Sequence, residues 1–140
     1  MKRVLAGVAL GLVCGAALAT QTRAPSVVAL ADAQVREPPS KKASITLLAQ
    51  GEEAFLGKLT LAPGGKVTQH RDPTEEYIHV LEGSGVITID GVEHTLSPGH
   101  TVYMPANAEV SYQNGDDVLV AFQVFAGPKS ADKYDAWGTR

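Results

Sequence analysis

The sequence predicts an all-β fold, a single jelly-roll or barrel domain over residues 43–127. Three observations carry that prediction. Short runs of aliphatic, aromatic and β-branched residues recur through the stretch at regular spacing. Clusters of Gly, Pro, Asn and Asp separate them. No helical period interrupts the series before Pro128. Evenly spaced short strands joined by such turns mark sandwiches and barrels rather than parallel α/β sheets.

Taken in order, the strands begin after Ser44, where Ile45, Leu47 and Ala49 alternate with Thr46, Leu48 and Gln50. Ala54 to Leu61 is the next run, closed by the turn Ala62-Pro63-Gly64-Gly65. Glu76 to Leu81 follows, then a turn at Glu82-Gly83-Ser84-Gly85 and a strand at Val86–Ile89. Asp90-Gly91 between alternating runs is a strong hairpin signal, and Val92 to Leu96 completes the hairpin. Ser97-Pro98-Gly99 turns the chain again. Thr101–Met104 and Glu109–Gln113 are short strands around Pro105–Ala108. Asn114–Asp117 then leads into the long apolar run Val118–Phe125.

The ends of the chain read differently. Met1-Lys2-Arg3 precedes an apolar run from Val4 to Ala19, and Ala17-Leu18-Ala19 offers a small-x-small cleavage site. That is the plan of a secretory signal peptide, so residues 1–19 are expected to be removed and the chain to be secreted or periplasmic. The run is shorter than the ~20 residues of a membrane helix, so no stable membrane anchor is expected after cleavage. The single cysteine, Cys14, lies inside it, which leaves the mature chain without a disulfide. Residues 20–42, with Glu37-Pro38-Pro39-Ser40-Lys41-Lys42, read as a linker. Residues 128–140 read as a tail packing on the barrel through Tyr134 and Trp137. A net charge of −3 without a basic patch argues against a nucleic-acid partner.

The candidate site lies around the run Glu76–Leu81. Side chains alternate across a strand. If Glu76 points inward, so do Ile78 and Val80, while Tyr77, His79 and Leu81 point out. His70, Asp72 and Glu76 share a parity and are expected to converge on one interior. A carboxylate buried in an apolar strand must be paired, coordinated or protonated. His70 therefore reads either as a metal ligand or as a histidine hydrogen-bonded to Glu76, and Asp72 as a ligand or as the cap of the Asp-Pro-Thr turn. Met104, Val110, Tyr112 and Gln123 are the expected ligand-binding wall of the same interior, apolar and aromatic with few polar groups.

The same stretch resembles the cupin superfamily. Gly64, His70, Glu76 and Gly83 fall in register with the first cupin motif, and Gly99, Pro105 and Asn114 with the second. Asp72 and Val110 stand where the family carries histidines, and Asn107 where it carries glycine. The resemblance implies a small single-domain cupin jelly roll whose metal site is degenerate at two of four positions. It implies a divalent ion, manganese, zinc or iron, that is weakly bound at His70, Asp72 and Glu76 or absent, since an oxygen-rich set with one imidazole leans toward harder ions. It also implies pairing of barrels into a homodimer.

Three function classes follow. The first is an exported protein that binds a small molecule or a weakly held metal without catalysis. The second is a metal-dependent cupin enzyme of dioxygenase or isomerase type. The third is a partner-binding module that uses the outer face with Tyr77 and His79. Fold alone does not choose among them.

Overall fold

Period-two burial decides the architecture. In the strand Ala54–Leu61, Phe55, Gly57, Leu59 and Leu61 are buried while the residues between them are not. In Leu119–Ala126, Leu119, Ala121, Gln123 and Phe125 are buried on the same rule. Each such strand presents one apolar face, which two facing sheets can hide together. The computed structural model describes residues 24–128, 130 and 132–140. The expected signal peptide, residues 1–19, lies outside the described residues.

The strands are β1 (Val35–Glu37), β2 (Ala43–Gln50), β3 (Ala54–Leu61), β4 (Lys66–Arg71), β5 (Glu75–Glu82) and β6 (Gly85–Ile89). They continue as β7 (Val92–Leu96), β8 (Thr101–Met104), β9 (Glu109–Asn114), β10 (Leu119–Ala126) and β11 (Gly138–Thr139). One sheet has the order β11-β1-β2-β3-β10-β5-β8 and the other β4-β9-β6-β7, with antiparallel pairing throughout. The sheets enclose one core, in which Phe55, Phe125, Ile45, Ile87, Met104 and Val80 are the largest fully buried side chains.

Asp90-Gly91 forms the expected hairpin turn. Asp90 and Gly91 have φ of 47° and 82°, and Ile89 faces Val92 across it. Two positive φ values in a two-residue loop match the right-handed twist of the flanking strands. Asn107, where the family motif carries glycine, also takes a positive φ, 65°. Its short polar side chain tolerates that conformation.

Two expectations need correction. The segment 20–42, expected as a linker, contributes β1, which pairs β2 on one side and β11 on the other. Between β1 and β2 the chain turns, with Lys41 N donating to Pro38 O. The stretch after Gly65, which gave no strand signal, forms β4 against β9. Its sequence, Lys-Val-Thr-Gln-His-Arg, holds one apolar residue, and its register shifts between Val67 and His70. That irregularity turns both residues inward at a spacing of three, which no period-two pattern reveals.

Candidate functional site

Strand register brings the site together. His70 on β4 lies opposite Val110 on β9, and Glu76 on β5 lies between Met104 on β8 and Phe125 on β10. The parity expected of β5 holds. Glu76 and Val80 are buried and Ile78 packs on the core, while Tyr77, His79 and Leu81 are exposed. A cavity of about 660 Å³ opens between the sheets. His70, Glu76, Met104, Val110, Tyr112 and Gln123 all line it. Asp72 is absent from its wall.

Two polar groupings form at this end of the barrel. At the barrel end of β5, His70 Nε2 lies 3.2 Å from Asp72 Oδ2, and Lys133 Nζ lies 2.6 Å from the same oxygen. His70 Nδ1 is 2.9 Å from the Thr68 carbonyl. Both ring nitrogens of His70 are thus engaged. The bond with Asp72 lifts the imidazole pKa above its ordinary value, though burial works against it. Burial alone would raise the Asp72 carboxyl, but the bonds from His70 and Lys133 outweigh it and hold the group below its ordinary value.

The second grouping is a buried relay. Tyr134 Oη donates to Gln123 Oε1 at 2.5 Å, and Gln123 Nε2 donates to Glu76 Oε1 at 2.5 Å. All three residues are buried. An ionised carboxylate can only accept, so with Glu76 ionised the Gln123 amide turns its nitrogen toward it. Burial raises the Glu76 pKa, and the Gln123 bond offsets part of that rise. Burial, with Glu76 nearby, pushes the Tyr134 phenol well above its usual range. Among the described residues no buried side-chain polar atom lacks a partner.

These contacts revise two readings. His70 binds Asp72 rather than Glu76, and Asp72 neither caps its own turn nor faces the cavity. The sequence reading also missed Lys133, which sits 4.3 Å above the Phe125 ring while holding Asp72. Nothing in the local pattern signals a partner 61 residues away in the chain.

A resident metal does not fit this donor set. His70 has no free ring nitrogen, Asp72 is held by a lysine, Glu76 is tied to Gln123, and Val110 offers no donor. Among the described residues no three His, Cys, Asp or Glu side chains gather in a way able to hold an ion. A structural or catalytic site needs at least three such ligands with free lone pairs.

The other positions matched by sequence serve the backbone. Asn114 is buried, and its Nδ2 donates to the carbonyls of Ala62 and Asp117 at 2.8 and 2.9 Å. Gly83 has φ 79°, and a Cβ there would meet the Val118 carbonyl at 2.5 Å. The outer face carries Tyr77 and Tyr103 with ring centroids 5.2 Å apart, both donating to Glu75. His79 lies beside them, bonded to Thr101 Oγ1.

Comparisons with known proteins agree with this fold. A family model described as a cupin domain matches residues 57–125. Dimethylsulfoniopropionate lyase DddW of Ruegeria pomeroyi is 40% identical over 57 residues, 41% of this chain and 38% of that protein. Tetracenomycin polyketide synthase protein TcmJ of Streptomyces glaucescens is 31% identical over 93 residues, 64% of this chain and 62% of that protein. The chain therefore spans about half the length of the curated relatives it matches. Among solved structures, an RmlC-like cupin from Shewanella frigidimarina superposes with a TM-score of 0.70 at 15% identity, covering 80% of this chain and 98% of that one.

Proposed function

We propose that this chain, which carries a small cupin-superfamily domain, binds a small, largely apolar organic molecule between its sheets and does so without catalysis. The observation that carries the proposal is the cavity. Ligand pockets run from roughly 300 to 1,000 Å³, and this one is about 660 Å³. The space is open to solvent, and an apolar solute gains by replacing the water in it. Its wall is largely aliphatic, from residues such as Leu59, Val80 and Ile87, and the buried polar side chains in it are few: Glu76, Tyr112, Gln123 and Tyr134, with His70 and Lys133 beside them. Few polar groups in an apolar wall orient a ligand without demanding a charged one.

The test uses Trp137, the single tryptophan of the chain, which lines the same cavity. The neutral fluorophore N-phenyl-1-naphthylamine should bind one to one and take energy from Trp137. Val110→Phe places a ring into the cavity and should weaken binding about tenfold or more. Undiminished binding by a folded Val110→Phe protein would refute the proposal.

Catalysis is the second reading. It is favoured by Glu76, a buried acid of raised pKa beside the cavity, and by the match to a protein named as a lyase. A stoichiometric metal ion that survives dialysis of the purified protein against a chelator would bring that reading to the front.

A further inference from the structure

The buried polar side chains of the cavity wall are almost fully spent on one another. Gln123 Oε1 accepts from Tyr134 Oη, and Gln123 Nε2 donates to Glu76 Oε1. Tyr112 Oη donates to Asn114 Oδ1 at 3.3 Å. His70 turns Nδ1 to the Thr68 carbonyl and Nε2 to the Asp72 carboxylate. Both of those partners only accept, so both ring N–H groups are used. Lys133 donates to Asp72. One buried atom is left over. Among the described residues, Glu76 Oε2 has no hydrogen-bond or ion-pair partner, since the Gln123 bond falls on Oε1.

That oxygen faces the cavity. Glu76 is only 5% exposed, yet among the described residues no occluded side-chain oxygen lacks a partner. Oε2 therefore reaches open space, and the space that Glu76 lines is the cavity. Its surroundings there are apolar. Ile78 and Val80 follow on the same face of β5, and Met104 lies opposite on β8. A carboxyl oxygen in such a place gains from a partner on the solute that displaces its water. The carboxyl chemistry narrows that partner. An ionised Glu76 only accepts. A protonated one donates through Oε2, because Oε1 already accepts from Gln123. Burial moves the group toward its protonated form. A hydroxyl both donates and accepts, so it bonds either form. An ammonium suits only the ionised form, a carbonyl oxygen only the protonated one, and a solute carboxylate is repelled by the ionised one.

Resting on the cavity reading above, we propose that the bound molecule is a neutral alcohol or phenol, with its hydroxyl on Glu76 Oε2 and its apolar body along the wall between the sheets. 4-Butylphenol and 4-butyltoluene differ only in a hydroxyl for a methyl, and each can be titrated as a displacer of bound N-phenyl-1-naphthylamine. In the unmodified protein the phenol should bind at least as tightly as the hydrocarbon, although it is the less apolar of the two. Glu76→Leu should shift the ratio of the two affinities about tenfold toward the hydrocarbon. Glu76→Gln leaves an amide atom in the place of Oε2, which a hydroxyl can meet in either sense, and should keep the phenol's standing. 4-Butylbenzoate and 4-butylbenzylammonium should both bind more weakly than the phenol. The hydroxyl claim is overturned without any variant if the hydrocarbon binds the unmodified protein about tenfold or more tightly than the phenol, as a cavity with no partner for a hydroxyl would have it. An unchanged ratio in a folded Glu76→Leu protein overturns it too, as does tighter binding of either charged compound. If the hydroxyl claim fails in one of these ways while Val110→Phe still blocks the fluorophore, the cavity reading stands. If the fluorophore does not bind at one to one, both fall together.

Discussion

The relay from Tyr134 through Gln123 to Glu76 predicts a measurable coupling. Tyr134→Phe removes one hydroxyl and leaves Gln123 Oε1 without its donor at a buried position. An orphaned buried polar atom costs about 1–3 kcal/mol. Gln123→Leu keeps the side-chain volume nearly constant but strands two groups, the Tyr134 hydroxyl and Glu76 Oε1. The double variant strands only Glu76, because the phenol and the amide leave together. The two single changes orphan three groups in total and the double change orphans one. Their summed cost should therefore exceed the cost of the double variant by about 2 kcal/mol or more. Urea unfolding of the four proteins gives the coupling directly, provided the m-values agree. A coupling below about 0.5 kcal/mol is what independent sites show, and it would refute the relay.

Gly91→Val should lower stability by roughly 1 kcal/mol or more, read as a drop in melting temperature. A Cβ at Gly91 would meet nothing within 4 Å, so the cost is the positive φ of 82° and not a clash. An unchanged melting temperature would count against this turn geometry. The His70–Asp72 contact predicts a pH dependence of stability. The bond with Asp72 holds the His70 pKa above its ordinary value of 6.5 in the folded state, so its contribution is complete below that pH and is lost as pH rises through the folded value. The stability difference between the protein and His70→Gln should shrink as pH is raised from 6.5, and a constant difference would exclude the contact.

Period-two alternation made much of the fold legible. β7 and β8 lie at their expected bounds, and β5 carries Glu76 inward as its parity required. Asp90-Gly91 announced its hairpin because few other pairs accept two positive φ values. What stayed hidden has physical causes. β4 is polar, lies at a sheet edge and contains a bulge, so its pattern resembled a loop. β1 and β11 are three and two residues long and pair across about a hundred positions of sequence. The partners of Asp72 and Gln123 come from the tail, at Lys133 and Tyr134, and spacing rules see only neighbours.

The matched motif positions divide into two kinds, and the division bears on function. Gly64, Gly83, Gly99 and Asn114 hold backbone shape. The three glycines have φ of 64°, 79° and 89°, and Asn114 ties the Ala62 turn to Asp117. These positions keep the motif residue. Of the four positions that the resemblance assigns to metal chemistry, His70 and Glu76 keep the motif residue and Asp72 and Val110 depart from it. Val110 faces His70 across the β4–β9 ladder, so an isopropyl group stands where a second imidazole would look at the first. Asp72 is turned from a donor into a clamp by Lys133. The backbone positions shape the cavity, while His70, Glu76 and Gln123 at its wall are held in hydrogen bonds. A fold-level likeness therefore predicts the shape of this space, and the identity of its occupant has to be read from the residues that line it.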